Sequence, residues 1–206
     1  MEIYLIRHGQ SQSNINNHLI GGRSPGSKLS EEGRLQGKKL GEFFKDNVNP
    51  TIIYSSSLVR AVDTALIFKE NLDKNIDIEL IHELAELSQG EWEGKARSQI
   101  YTDKQLNIIN SSSGWFTPPG GESQIMAQLR AIPWLVNCIH NKWKSEEVVV
   151  IIAHGTLINN LVQFILNFDR SFTHKLEIDN CGYHYLQFDK KTSAFTKVRL
   201  CQNKIS

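Results

Sequence analysis

Cysteine is scarce, with only Cys138, Cys181 and Cys201, and none of them is paired as Cys-x-x-Cys. An odd number of such scattered thiols argues against a zinc or disulfide framework and for reduced, buried side chains. No sign of charge dominates either. With 23 basic and 22 acidic residues the chain carries a formal charge of +1, too little to attract nucleic acid or an acidic membrane. No apolar run approaches membrane-spanning length, and no basic region with an apolar stretch marks a secretory signal. The expectation is therefore a soluble, cytoplasmic protein. A hydrophobic content of 40% over 206 residues suffices for a real core. It fits one domain over 1–206 with a subdomain insertion at roughly 91–145, and a homodimer stays open.

What is present is a set of short apolar runs that stop abruptly. Ile3-Tyr4-Leu5-Ile6 ends at Arg7-His8-Gly9-Gln10-Ser11. Thr51-Ile52-Ile53-Tyr54 ends at three serines and is followed by a helical run from Leu58 to Leu72 with Arg60 in its first turn. Val148 to Ala153 ends at His154-Gly155-Thr156, before a helix through Leu157 to Phe168. Unbroken apolar runs of this length fit strands buried on both faces of a parallel sheet. Ligands bind beyond the carboxyl ends of such strands. Parallel strands would bring Arg7, His8, Arg60 and His154 to one edge, beside helix N-termini that supply N–H donors and positive dipole ends. That edge suits a dianion.

The connecting segments are weaker signals. Gly21 to Lys28 superficially resembles a phosphate-binding P-loop, but the order is Gly-Ser-Lys and no buried strand leads into it. A loop is the better reading of Gln12 to Lys28. Ser30 reads as an N-cap with Glu31 and Glu32 in the first turn. On the helix that follows, Gly33, Gly37, Leu40, Gly41 and Phe44 share a face, and its small residues would let the helix lie close to the sheet. Asp77 to Leu84 reads as a strand. His82-Glu83-Leu84-Ala85-Glu86 resembles the zinc motif H-E-x-x-H but has glutamate in place of the second histidine, so no metal is expected.

Further on, one short helix is expected between Gln99 and Ile109. Trp115 and Phe116, in the loop Gly114 to Ser123, either plug the core or line a pocket mouth, and the plug is favoured. Arg23 and Lys28 are, with these two aromatics, loop candidates for recognising a leaving group. Ile125, Leu129, Ile132, Val136, Ile139 and Trp143 recur at helical spacing, with Pro133 off the stripe as a kink. Tyr183 to Phe188 and Ala194 to Cys201 flank a turn, a hairpin at the sheet edge where Lys197 and Arg199 discourage association. His184 reads as a strand residue. The alternation predicts a three-layer α/β/α sandwich, mostly parallel, with an antiparallel edge strand.

Five pieces in order carry a resemblance over nearly the whole chain. They are Arg7-His8-Gly9-Gln10-Ser11 with Asn14; Ser56 to Ala65; Leu84-Ala85-Glu86 through Gly90-Glu91-Trp92-Glu93-Gly94; Pro119-Gly120-Gly121-Glu122-Ser123; and Ala153-His154-Gly155. Together they resemble the histidine phosphatase superfamily, the phosphoglycerate mutase-like proteins. Gln10 and Asp63 stand where the family often has glutamate and glutamine.

The resemblance implies that His8 takes the phosphoryl group as phosphohistidine, Arg7 and Arg60 clamp its oxygens, and His154 stabilises it. It also implies that Glu86 is the proton donor, a choice the residues alone leave open among four glutamates, and that Asn14 contacts phosphate, with Gly155 beside it. With guanidinium and imidazole groups supplying positive charge, neither metal nor cofactor is called for. The compact length and the Gly-x-Trp-Glu-Gly form look more like the phosphatase branch, acting on a small phosphorylated metabolite, than a cofactor-dependent phosphoglycerate mutase. An inactive phospho-ligand binding module would be expected to lack one of these residues, and all are present.

Overall fold

The computed structural model describes residues 1–169 and 175–203. A six-stranded sheet has the order β3-β2-β4-β1-β5-β6, where β1 is Glu2–Arg7, β2 Ile52–Ser56, β3 Ile78–Ile81, β4 Val148–Ala153, β5 Tyr183–Asp189 and β6 Ala194–Gln202. The first four are parallel. β5 runs antiparallel to β1, and β6 antiparallel to β5, so the antiparallel edge is a two-stranded hairpin.

Side chains alternate across the sheet, and each apolar run fills two cores at once. Ile3, Leu5, Val149 and Ile151 pack under α6 (Gln124–Asn137) and α7 (Gly155–Ile165). Tyr4, Ile6, Val150 and Ile152 pack under α2 (Glu31–Asn47) and α3 (Val59–Leu72). The neighbours β1 and β4 thus send their following long helices to opposite faces. That is the switch point at which such sheets leave a crevice.

Between α2 and the end of β1 lies the single turn α1 (Gln12–Ile15). The one short helix expected near residue 100 is two, α4 (Arg97–Ile100) and α5 (Asp103–Ser111), because Thr102 is extended and its side chain accepts from the Gln105 N–H to start the second.

Three packing expectations need correction. The α2 glycines face α3 and the loop after β1. A Cβ on Gly41 would lie 2.6 Å from the Phe68 carbonyl oxygen, and one on Gly33 would lie 2.0 Å from that of Gln10. Leu40 and Phe44 are what meet the sheet's core. On α6 the buried stripe is Ala127, Ala131 and Leu135 with Ile132, while Leu129 is 69% exposed and Val136 43%. The alanines face the core that α6 shares with α7, and the bulkier pair turns outward. Pro133 lies inside α6, which continues to Asn137.

The third correction concerns the aromatic plug. Trp115 is 67% exposed, and Phe116 is half-buried against Trp92, so neither fills the main core.

No helix among the described residues is long and apolar enough to cross a membrane. Cys138 and Cys181 are buried thiols and Cys201 is half-buried, all unpaired.

Candidate active site

Register builds the centre. Arg7 pairs with Ala153 across β1 and β4, so the next two residues, His8 and His154, emerge side by side on one face. Their ring centroids are 5.1 Å apart. The His8 N–H continues the ladder to the Ala153 carbonyl at 3.0 Å. Gly9 then turns the chain against α2, where any Cβ would meet the Gly33 carbonyl oxygen at 2.5 Å. The Gly9 N–H is fastened to the Thr64 hydroxyl of α3 at 3.0 Å.

The protonation of His8 follows from its partners. Its Nδ1 lies 2.7 Å from the Gly9 carbonyl oxygen, which can only accept, and its Nε2 lies 3.1 Å from Arg60 Nε, which can only donate. The proton is therefore on Nδ1 and the lone pair on Nε2. Burial, and then the Arg60 charge, hold the His8 pKa well below the ordinary histidine value. Burial likewise holds His154 down, with Arg60 and His8 adding to it. His154 lies fully buried behind His8; its Nε2 is 2.8 Å from the Ser56 hydroxyl and its Nδ1 has no hydrogen-bond partner.

Arg60 is 3% exposed, in the first turn of α3. Its remaining nitrogens donate to the carbonyls of Arg23 at 2.8 Å and Gly22 at 3.0 Å. Arg7 Nη1 donates to the Ile178 carbonyl at 2.8 Å, and its Nε is buried without a partner. Burial lowers the pKa of both guanidinium groups, opposed first by Glu86. They stay charged, since arginine does not lose its proton in proteins.

Glu86 reaches the site from the strap after β3. Its Oε1 accepts from Leu157 N–H at 3.0 Å and its Oε2 from Thr156 N–H at 3.2 Å, at the first turn of α7. A carboxylate therefore occupies the helix N-terminus expected to face an anion. His82 points elsewhere, to the Ser57 hydroxyl at 2.9 Å, so the H-E-x-x-H-like run does not converge.

Asn14 Oδ1 accepts from Ser11 N–H at 3.0 Å and from the Asn180 amide at 3.1 Å. Gly155 lies against Arg7, 3.4 Å from its Nε were it to carry a Cβ. An open cleft of about 1540 Å³ joins Arg7, His8, Asn14, Arg60, Glu86 and Gly155.

Arg23 is at the rim, not in the wall of that cleft. Its backbone N–H and that of Ser24 donate to the Glu93 carboxylate at 2.9 and 3.0 Å, and its guanidinium pairs with Glu122 at 3.7 Å. Two backbone donors of the P-loop-like stretch are thus spent on Glu93, and the Ser27 N–H closes a turn onto the Ser24 carbonyl.

Several participants carried no signal that separated them from ordinary polar residues. Asn180 Nδ2 holds the His8 carbonyl at 2.9 Å. Arg130 binds the carbonyls of Glu83 and Ala85 and the Glu122 carboxylate, pinning the strap that carries Glu86. Arg130 lies off the apolar stripe of its helix, where an arginine looks like any solvated residue. Glu122 and Glu93 lay inside quoted motifs, which was the available hint. Those motifs meet backbone to backbone: Glu91 N–H donates to the Pro119 carbonyl at 2.9 Å, and Gly90, at φ +53°, leaves no room for a Cβ beneath Gly121.

A doubly wound α/β fold with an imidazole buried between two guanidinium groups at its switch point defines a class of anion-handling protein. The model of the histidine phosphatase superfamily (branch 1) matches residues 3–200, and the chain belongs to that superfamily. It is 33% identical over 166 residues to the 2,3-bisphosphoglycerate-dependent phosphoglycerate mutase of Parvibaculum lavamentivorans, covering 78% of this chain and 77% of that one. It is 29% identical over 171 residues to the glucosyl-3-phosphoglycerate phosphatase of Mycobacterium tuberculosis H37Rv, covering 80% and 74%. The native structure of mycobacterial glucosyl-3-phosphoglycerate phosphatase superposes with a TM-score of 0.82 at 25% identity over 98% of this chain and 99% of that one.

Proposed function

We propose that the protein hydrolyses a small phosphomonoester through phosphohistidine at His8. The observation that carries this reading is the neutral imidazole in the cleft wall, whose Nε2 keeps its lone pair and is held by Arg60 Nε at 3.1 Å. In the first step the Nε2 lone pair, given up by Arg60 as its guanidinium takes the phosphoryl oxygens, forms an N–P bond as the ester P–O bond breaks, and Glu86, entering the step in its protonated form, hands its proton to the departing alkoxide. In the second, Glu86 takes a proton from water while the oxygen attacks phosphorus and the N–P bond breaks, releasing phosphate and restoring His8.

Phosphate monoesters are among the slowest substrates to hydrolyse unaided, so one effect does not suffice. The covalent intermediate divides the barrier. Arg7 and Arg60 meet the charge on the transferring oxygens in a fork geometry that lysine lacks. His154, packed behind His8 with an unpartnered Nδ1, is the further group toward the phosphoryl, and Asn14 an additional contact. Arg23, at the rim, is assigned to the leaving-group side.

His8→Ala tests the reading. Turnover of p-nitrophenyl phosphate and acid-labile phosphoenzyme should both vanish, a loss of ~10⁴-fold or more, with the fold retained. Near-native rates would refute the mechanism.

The name of the 33%-identical relative favours a second reading, a mutase. A metabolite panel run with and without 2,3-bisphosphoglycerate decides between them, since a mutase requires it and a hydrolase does not. We further read the chain as one domain with residues 91–145 as its insertion, acting in the cytoplasm with no nucleic-acid or membrane partner. Three unpaired thiols and a near-zero net charge support that placement.

A further inference from the structure

Away from His8 the cleft changes chemistry. Its outer wall is formed by Trp92, Tyr101, Leu106, Ile109 and Phe116. Trp92, 9% exposed, stacks on Phe116 with centroids 5.4 Å apart and planes 30° apart, and meets Tyr101 edge-on at 6.0 Å. Arg97 stands over Tyr101 at 5.0 Å from the ring centroid, a cation already engaged by the aromatic face.

These residues do not form a satellite core. Helix α5 buries none of its side chains, Leu106 is 39% exposed, and Tyr101, Ile109 and Phe116 are half-buried with the cleft in front of them. Apolar surface gathered in a cleft beside a polar catalytic centre is the usual make-up of a site for an organic group. The wall is also fixed relative to the chemistry. The Phe116 N–H is anchored on the Ser112 hydroxyl at 3.1 Å, and the Glu122 N–H donates to Ser88 at 2.8 Å in the strap bearing Glu86.

We propose that this wall is the leaving-group subsite, and that the substrates are phosphomonoesters of alcohols bearing a ring-shaped, apolar body that stacks on Phe116 and Tyr101. The inference rests on the phosphatase reading for its chemistry but makes a separate claim about binding. A short carboxylate-bearing phosphate such as 3-phosphoglycerate leaves the rings uncovered.

Two alkyl phosphates with leaving groups of similar basicity, 2-(1-naphthyl)ethyl phosphate and glycerol 3-phosphate, isolate the effect of the body. The expected ratio of kcat/KM is at least tenfold in favour of the naphthyl ester, carried by KM. Phe116→Ala should cut that ratio about tenfold, within the range of a lost aromatic contact and its burial. Tyr101→Ala serves the same purpose if the first variant is unstable, and Leu129→Ser, on the outer face of α6, should leave the ratio unchanged. Calorimetric binding of the naphthyl ester to His8→Ala protein reads the wall without turnover. Tighter binding than glycerol 3-phosphate, weakened by the Phe116 change, supports the subsite even if nothing is hydrolysed, an outcome that would sink the phosphatase reading alone. Equal binding of the two esters together with equal kcat/KM would overturn the subsite while leaving phosphohistidine chemistry standing.

Discussion

The inner end of the cleft and its outer wall are built on opposite plans. At the inner end, strand ends and the first turn of α3 hold imidazole and guanidinium groups that are buried or, for Arg7, half-buried; His154 meets the Ser56 hydroxyl, and the others are tied by hydrogen bonds to the backbone. The outer wall comes from the turn that ends at the buried Trp92, from Tyr101 just after α4, from α5, which has no buried residue, and from the loop at Phe116, and it is held by ring stacking and a backbone seam at Gly90. The difference separates tasks. Charge that must not reorganise during the reaction sits at strand ends and a helix first turn packed on the sheet, whereas the surface that selects a substrate sits on connections that tolerate change.

If that division holds, the largest effects belong to the inner end. Glu86→Gln keeps one of the two acceptors that face the α7 N–H groups and removes the transferable proton. It should slow alkyl phosphates by ~10²- to 10⁴-fold in kcat, while aryl phosphates, whose leaving groups need little protonation, lose much less. Equal slowing of both classes would take Glu86 out of the donor role. Arg60→Lys should cost ~10²-fold in kcat/KM, because one ammonium cannot reach His8, two loop carbonyls and a phosphoryl oxygen together. A loss below threefold would show that the fork is dispensable.

Acid stability sharpens the same contrast. His184 is buried in β5, accepts the Cys201 N–H at Nδ1 and faces Asn159 through Nε2, and burial pushes its pKa down to about 4. Between about 6.5 and about 4 the unfolded chain takes up a proton that the folded one refuses. Its contribution is therefore complete above pH 6.5 and lost as pH falls, at up to ~1.4 kcal/mol per pH unit. His8 and His154, both also held low, act in the same direction. Urea titrations of His184→Gln across that window should show a slope shallower by about that amount, and an unchanged slope would contradict it. The smallest effect belongs to the outer side. Trp115, 67% exposed, should be replaceable by serine within about 0.5 kcal/mol of stability. A larger loss by thermal or urea unfolding would mean that the loop is structural after all.

Much of the inner end was legible because it is local. Apolar runs that stop at Arg7-His8-Gly9, at Ser55 to Ser57 and at His154-Gly155 announce strand ends, and parallel pairing brings them to one edge. The hairpin at 183–202 and the Ser30 cap, which accepts the Gly33 N–H at 3.0 Å, were equally plain. Less legible was anything that depends on which neighbour a face meets. Leu129 and Val136 fit the α6 stripe as well by spacing as the residues that are buried, and small alanines decided which way the helix turned. The α2 glycines announced a close approach without saying to what.

The amino-acid order by itself determined the strands, the parallel sheet and the four cationic or imidazole groups at its edge, since each depends on side-chain periodicity within a few residues. Only the tertiary structure decided that Glu86 lodges on α7, that Arg130 and Asn180 steady the centre from segments far away in sequence, and that a stacked aromatic wall faces it. Those contacts join residues tens to more than a hundred positions apart, and no local pattern encodes a distance that chain folding alone closes.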